Sequence, residues 1–380
     1  MINARVAVVA AAALLCAARA HANGTLETYG ADPRMRAMGN AGSSLFDVAA
    51  SHTNPALLGQ APGALDFEAA FSLDTPALGV TFANPKQATD PLNVATAAPV
   101  AGLQLAFTMP IDLVLQNHLF VGAVAFFPTD VLVRARAYDP QKPFFYAYDS
   151  YTDHYDISVA AGAKLVDRFY LGVGARLAAG QSGNIGLAVD PVRGRLDNQS
   201  ADTFQFPTAG LTAGAVLGPL GVTDVVTGSL GVVYRDQTEF DVHLPAGLAI
   251  DGAGVNALLD VTVPANFEPR TLTSGVSLHI LKDLDLAVDG QYAFWSNAPP
   301  PFIITKVTID GNGVDELGLH GALDAPGPGQ DRVLPPGFVD TLNWRAGLEY
   351  RTLKDTLALR AGYQYRPSPV PDQTSGTNIV

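Results

Sequence analysis

After an irregular N-terminal stretch, apolar and polar residues alternate along most of the chain with a period of two. The clearest segments are residues 342–350 and 357–365, in which every second residue is apolar. The residues between them are polar, charged or small, and include Arg345, Glu349 and Arg360. This period predicts β-strands with one apolar and one polar face. The same pattern recurs in segments that begin at Leu65, Leu103, Tyr155, Phe169 and Leu284.

Segments of about 10 residues that alternate in this way are typical of transmembrane β-barrels, although the strands of a soluble sandwich alternate too. Full charges at Arg345, Glu349 and Arg360 on the polar face favour a barrel whose lumen is wet or filled, with these three side chains facing it. Aromatic residues also collect at strand ends, as membrane-interface girdles require. We therefore predict an all-β, antiparallel transmembrane barrel. The girdle candidates are Phe126, Phe127, Tyr292, Phe294, Trp295, Tyr363 and Tyr365.

Short and long connections alternate between the predicted strands, as they do in outer-membrane barrels. Long ones are expected at 84–100, 128–151, 180–203, 236–270 and 296–339. This spacing gives about eleven strands in residues 64–380. Because bacterial barrels close with an even number of strands, we expect the barrel to be incomplete at its C-terminal end, with three further strands to make fourteen.

The first 63 residues lack this alternation and divide into two parts. Arg5, the apolar run 6–15 and Ala20-His21-Ala22 have the pattern of a signal peptide, with cleavage expected near Ala22. Residues 23–63 are interrupted by several Gly and Pro residues and show no long helical stripe, with one helical turn expected near 44–50. Their place before the first strand makes them a cap, a plug or a leader to the β region.

Composition narrows the function classes. Only 16% of residues are charged, and the net charge is −13 with a pI near 4.8. The low charge suits a lipid-facing wall, and the acidic balance argues against a nucleic-acid partner. The single cysteine, Cys16, lies in the predicted signal peptide. No catalytic motif or metal-ligand spacing stands out, so we expect no enzyme activity, no cofactor and no metal.

Motifs stand out near both ends of the chain. The N-terminal ones are Arg36-Ala-Met-Gly-Asn-Ala-Gly42, Leu45-Phe-Asp-Val-Ala-Ala50 and Asn54-Pro55-Ala56, and the later ones are 344–350 and 360–372. Together they resemble the FadL/TodX family of outer-membrane transporters for long-chain fatty acids and other hydrophobic compounds. Asn40 and His52 depart from the family pattern. The resemblance implies a monomeric fourteen-stranded barrel in outer-membrane lipid, filled by an N-terminal hatch (residues 23–63). It further implies passive uptake: capture of a hydrophobic ligand at external loops, rearrangement of the hatch, and lateral release.

The candidate site residues fall in three groups. Asn54, Pro55 and Ala56 are expected to form a rigid turn in the hatch, with either a gating or a purely structural role. Apolar hatch residues either line the ligand path or pack the hatch against the wall: Met35, Met38, Leu45, Phe46, Leu57 and Leu58. Apolar residues of long loops either capture ligand or contact lipid headgroups: Phe144, Phe145, Tyr146, Leu244 and Leu248.

The alternative function is a general porin for polar solutes. A porin needs an open lumen, so its N-terminus should lead directly into the first strand. In this chain about 40 residues lie between the predicted signal peptide and the first strand. The sequence therefore favours uptake of hydrophobic molecules over a porin.

Overall fold

An antiparallel β-sheet makes up most of the computed structural model. The model describes residues 25–74, 100–111, 118–129, 154–190, 195–223, 225–250, 255–299, 304–310, 337–353 and 356–371. The predicted signal peptide and the candidates Phe144, Phe145 and Tyr146 lie outside these ranges. The strands are β1 (Asp66–Asp74), β2 (Val100–Pro110), β3 (Leu119–Pro128), β4 (Asp156–Val166), β5 (Phe169–Asp190), β6 (Arg195–Thr223), β7 (Val226–Arg235), β8 (Thr238–Ile250), β9 (Val255–Glu268), β10 (Thr271–Ile280), β11 (Leu284–Ala293), β12 (Ile304–Asp310), β13 (Thr341–Thr352) and β14 (Leu357–Tyr365).

Eleven of these strands form one continuous path, which we call the wall. Its order is β1-β2-β3-β4-β5-β6-β7-β10-β11-β13-β14. The remaining strands, β8, β9 and β12, lie off this path, and β8 joins it by pairing in parallel with the outer part of β5. Within the described residues, β1 and β14 are the two ends of the wall. The predicted number of about eleven strands agrees with this path.

The wall has the reverse of the polarity of a soluble sheet. Val173, Trp344 and Leu348 are 59%, 49% and 39% exposed, whereas Arg345 and Glu349 are 5% and 2% exposed. Large apolar side chains are rarely left outside and charged ones rarely buried in a water-soluble domain. An apolar outer face and a polar inner face are the arrangement of a transmembrane β-barrel wall. The alternation predicted for 342–350 is confirmed in β13.

Two of the predicted long connections are instead mostly strand. Residues 180–203 belong largely to β5 and β6, which are 22 and 29 residues long, and 236–270 contains β8 and β9. Leu244 and Leu248, expected in a loop, therefore lie in β8. Glycines in the outer part of β5 mask its strand character in the sequence. Pairing with β6 on one side and β8 on the other holds this part extended.

The N-terminal segment, residues 25–64, is built from short helices. These are α1 (Thr25–Tyr29), α2 (Pro33–Ala37), α3 (Ala50–Thr53) and a 3-10 helix (Pro55–Gln60). Asp32 caps α2, since its Oδ1 accepts a hydrogen bond from the Met35 amide at 2.7 Å. The turn expected near 44–50 is misplaced, because α3 begins only at Ala50. In the described ranges, no helix is long and apolar enough to cross a membrane.

Candidate functional site: the contact between the N-terminal segment and the wall

The N-terminal segment lies against the inner face of the wall and buries its apolar residues there. Leu57 and Leu58 are fully buried and pack with Phe120, Tyr170 and Val216 of β3, β5 and β6. A second cluster joins residues of the segment to β2 and β3, and a third joins Met38 to Ala287 of β11. The segment is therefore attached to several strands rather than to one.

A belt of glycines gives the segment room to approach the wall. At each of these positions a Cβ atom would come within 3.0 Å of an atom of the segment, which real Cβ atoms essentially never do. Several belt members are cross-strand partners, including the run 162, 172 and 214 and the pairs 231/275 and 347/362. The wall is thus shaped to fit the backbone of the segment. The glycine belt consists of Gly162, Gly172, Gly214, Gly231, Gly275, Gly347 and Gly362.

Asn54 fixes the turn that faces this belt. Its Oδ1 accepts a hydrogen bond from the Ala56 amide at 3.1 Å, and its Nδ2 donates to the Ser43 carbonyl at 2.6 Å. Nδ2 also lies 3.5 Å from the carbonyl oxygen of Val232 in β7. Pro55 occupies the first turn of the 3-10 helix, where its missing N–H leaves no donor unpaired. Asn54-Pro55-Ala56 is therefore a hydrogen-bonded corner against the wall.

Asp289 of β11 binds the backbone of the segment from the wall side. Its Oδ2 accepts hydrogen bonds from the amides of Gly42 and Ser43 at 3.0 and 2.9 Å, and its Oδ1 accepts one from the Ser43 hydroxyl at 2.8 Å. Asp289 is 1% exposed. A buried carboxylate with three such donors is well satisfied only while the segment stays in place.

Glu27 of α1 is held between two arginines of the wall. Its Oε1 accepts hydrogen bonds from Arg345 Nη2 and Gln291 Nε2, both at 2.7 Å, and its Oε2 pairs with Arg235 Nη1. Burial favours the protonated form of Glu27, but the two arginines outweigh it and hold the pKa of this carboxyl well below its usual range. Glu27 is therefore an anion across the physiological pH range.

Arg34 of α2 makes a second ionic attachment. Its Nε and Nη2 donate to the two carboxylate oxygens of Glu349, each at 3.0 Å, and Nη2 also lies 3.3 Å from Asp285 Oδ2. Arg34 Nη1 donates to the Phe46 carbonyl at 2.8 Å, which ties α2 to the rest of the segment. Glu349 is shared with Arg360 of β14, whose Nε lies 2.5 Å from Oε2. Because the Arg34 guanidinium binds both oxygens of the Glu349 carboxylate, the orientation of the Arg34 side chain is fixed as well as its distance from Glu349.

His52 of α3 is neutral in this environment. Burial, followed by the charge of Arg235, lowers its pKa from 6.5 to about 3. Asp156 and Glu27 act in the opposite direction but do not compensate. Its Nδ1 lies 3.0 Å from the Ser158 hydroxyl of β4. His52 therefore contributes to docking only in its uncharged form.

Acidification is expected to weaken docking through His52. A displaced, solvated His52 takes up a proton near pH 6.5 whereas the docked one does not until about pH 3, so docking is strongest above pH 6.5 and weakens progressively as the pH falls towards 3. By linkage the loss is about 2 kcal/mol between pH 6.5 and 4.5. A nitroxide label on an Ala37→Cys variant should show a growing mobile fraction over this range.

His52→Gln is the matched control for this pH dependence, because glutamine is polar but does not titrate. The pKa of Asp32 is raised by burial and by neighbouring Asp47, so Asp32 weakens docking in the opposite direction, as the pH rises. The contribution of His52 is therefore the difference between the pH profiles of label mobility with His52 and with His52→Gln, because Asp32 is present in both proteins. An identical pH profile with and without His52 would contradict the assignment.

The structure brings together most of the predicted site residues. Met35, Met38, Leu57 and Leu58 are fully buried, which favours packing over an open path, while Leu45 and Phe46 are partly exposed. Arg345 and Glu349 are buried and contact Glu27 and Arg34 of the segment, and their position in a lumen stays a prediction. Arg360 contacts Glu349 from β14, with 32% of its side chain exposed. Leu244 and Leu248 lie in β8, off the path of the wall, and their capture role stays a prediction.

Sequence reasoning missed Glu27, Arg34, Asp289 and the glycine belt. The belt has a signal in the sequence: glycines occupy the polar-face positions of several strands, such as Gly172 and Gly347. The charged pairs have none, because their partners are separated by up to 318 residues along the chain.

A small polar cavity lies between the segment and the wall beside Glu27. Its charged lining comes from Glu27, Arg235, Arg345 and Asp289, with His52 and several hydroxyl and amide groups. The cavity is partly open, and the Glu27 side chain keeps 15% of its surface exposed. Arg345 Nε is buried there without a hydrogen-bond partner in the described residues. This site offers donors to an anion.

Comparison with solved structures confirms the fold. The chain and the P. putida toluene transporter TodX share 17% identity over 91% of this chain and 86% of TodX, with a TM-score of 0.51. The Ralstonia pickettii toluene transporter TbuX is 17% identical over 90% of this chain and 87% of TbuX, with a TM-score of 0.48. A Pseudomonas aeruginosa FadL homologue is 15% identical over 90% of this chain and 81% of the homologue, also with a TM-score of 0.48. No protein-family model and no curated protein matches the sequence.

The likeness to TodX bears on architecture. It agrees with the wall of antiparallel strands, the outward apolar face and the small helical content described above. The predicted β-barrel fold class, and the resemblance to FadL/TodX proteins at the level of fold, are thereby confirmed.

Proposed function

We propose that this protein is an outer-membrane channel for passive uptake of hydrophobic small molecules such as fatty acids or hydrocarbons. The N-terminal segment is its hatch. A ligand is captured on the outer side, passes when the hatch rearranges, and leaves sideways into the membrane. The solved structure of similar fold with the highest TM-score reported above is a toluene transporter.

The observation that carries this proposal is the combination of an inverted wall with an occupied inner face. The wall presents apolar side chains outward, and the N-terminal segment covers glycines, charges and amides on its inner side. A channel that is filled in its resting state needs a movable element. The segment is suited to move because it consists of short helices held by a limited set of side-chain contacts.

The alternative, a general porin for polar solutes, has one observation in its favour: the lining beside Glu27 is polar rather than apolar. Against it, the same cavity has at most the space of one or two water molecules, about 20 Å³. This cavity is therefore too small to hold a sugar.

Flux into proteoliposomes distinguishes the two functions. Purified protein should speed the transfer of oleate into vesicles relative to protein-free vesicles, while glucose entrapped inside stays there. Gel mobility that changes on boiling provides the control that the protein is inserted as a barrel. Free loss of glucose without any faster oleate transfer would assign the porin function instead.

A further inference from the structure

The Glu27 site has the composition of a carboxylate-binding site that the protein fills with its own side chain. Arg235 belongs to β7, and Arg345 and Gln291 belong to β13 and β11, so three wall strands supply the donors. The carboxylate comes from the N-terminal segment. Among the described residues, Glu27 is the one carboxylate in ion-pair contact with either arginine.

Displacement of the segment would leave both arginines without this anion. The side chains of Arg235 and Arg345 are only 8% and 6% exposed in the docked state, and the segment supplies part of this burial, since Arg235 Nη2 also donates to the His52 carbonyl. Without Glu27, two neighbouring guanidinium charges on the wall lose their shared counter-ion. Removal of one partner from a buried ion pair is strongly unfavourable, since it leaves an uncompensated charge. The site therefore opposes opening unless another anion takes the place of Glu27.

A ligand carboxylate meets this requirement. It carries the same charge and the same two acceptor oxygens as Glu27, and guanidinium groups bind such a pair in a defined geometry. The cavity beside Glu27 is partly open but small, so a ligand carboxylate takes the position of the Glu27 carboxylate rather than lying beside it. Arg345 Nε supplies a donor that Glu27 leaves unused. An uncharged hydrocarbon offers neither the charge nor the acceptors.

We propose that Glu27, Arg235 and Arg345 form an exchange site, in which the carboxylate of an anionic amphiphile replaces Glu27 and thereby frees the hatch. This inference rests on the proposed function and makes it more specific: monocarboxylate amphiphiles, rather than neutral hydrocarbons, are the ligands that move the hatch. Gln291 positions the incoming carboxylate, since its amide donates to the same oxygen as Arg345.

The test compares two probes of equal chain length, laurate and dodecanol, on full-length protein in nanodiscs. Equilibrium binding gives the affinity for each probe, and a nitroxide label on Ala37→Cys reports displacement of the segment. The mature chain is expected to hold no other cysteine, because Cys16 lies in the predicted signal peptide. Wild-type protein should bind laurate more tightly than dodecanol, and the label on the otherwise unchanged Ala37→Cys protein should become mobile with laurate but not with dodecanol.

Glu27→Gln removes the competing carboxylate and leaves the arginines of the site in place. This variant should bind laurate at least about tenfold more tightly, because the ligand no longer competes with a tethered anion, and its label should be mobile without any ligand. Asp167→Asn removes the same charge from an exposed turn, at a side chain that is 91% exposed, and should behave as wild type. Arg345→Gln should lose the preference for laurate over dodecanol.

Two results would overturn the inference in distinguishable ways. Equal binding and equal label mobility with laurate and dodecanol would contradict the exchange site but not the proposed uptake of hydrophobic molecules. Binding of neither probe to wild-type protein would remove the proposed function together with the inference. The comparison of laurate and dodecanol binding to wild-type protein needs no variant, so this part of the test stands even if a substitution prevents folding.

Discussion

Gly172→Val is expected to open the channel to small ions. At this position of β5 a Cβ atom would come within 3.0 Å of the Pro55 carbonyl carbon and the Ala56 amide. These are backbone atoms of the turn fixed by Asn54, so they cannot rotate away as a flexible side chain can. The segment must shift or leave, and the lumen that it fills becomes accessible.

The size of this effect follows from the cost of overpacking. Extra methyl groups in a close-packed contact cost about 1–3 kcal/mol, which raises the population of the displaced state roughly 5- to 150-fold. Single-channel recording in planar bilayers should therefore show openings far more often than in wild-type protein. The wall itself should remain, since the outer face and the strand pairing of β5 are unaffected.

Gly221→Val is the matched control for the glycine belt. Gly221 also lies in a wall strand, β6, but nothing lies within 4 Å of the Cβ that it would carry. Its variant should record like wild type and keep the same gel mobility. If both variants gave the same openings, the effect would be one of general β-strand disruption, and the belt would have no special relation to the segment.

Arg34→Gln should weaken the attachment of the segment to β13, away from the contact of Gly172 with the Pro55 turn. The substitution removes both bonds to Glu349 and the bond to the Phe46 carbonyl. Breaking a buried pair costs about 3–5 kcal/mol, and the lower value is expected here because Glu349 keeps Arg360. Hydrogen exchange of residues 43–58 should then be roughly 150-fold faster, which corresponds to about 3 kcal/mol of lost protection.

Arg351→Gln removes an arginine from the same carboxylates without touching the segment. Arg351 lies in β13, 3.1 Å from Asp285 and 3.9 Å from Glu349, with 31% of its side chain exposed. Exchange in residues 43–58 should change little in this variant. Equal loss of protection in both variants would show that Arg34 acts only through local electrostatics and does not attach the segment.

The sequence predicted the wall well and the contact with the segment poorly. A period of two is a local property, so the faces of β13 and the inward position of Arg345 could be predicted from neighbouring residues. The outer part of β5 could not, because its glycines hide the strand pattern and one of its two partner strands, β8, is remote in the sequence. The bonds of Asn54 to its neighbours were within reach of local reasoning, whereas the pairing of Glu27 with Arg235 was not.

The difference between local strand alternation and contacts remote in the sequence also bears on how the fold serves the proposed function. Strand alternation gives a lipid-facing exterior without specifying what fills the interior. The filling is specified by side chains that look unremarkable in the sequence: glycines that make room, Asp289 that binds two amides, and two arginines that need one anion. Under the proposed function, these same contacts would set both ligand selectivity and gating.

The central claim is that the N-terminal segment fills the channel and must move for a ligand to pass. The measurement that tests it most directly is oleate transfer by a Ser44→Cys, Ser277→Cys variant treated with a short reducible thiol crosslinker. The Ser277 hydroxyl donates to the Ser44 carbonyl at 2.9 Å, so the crosslink joins the segment to β10 in its docked position. We predict that crosslinking stops transfer and that reduction restores it. Undiminished transfer through the crosslinked protein would contradict the account.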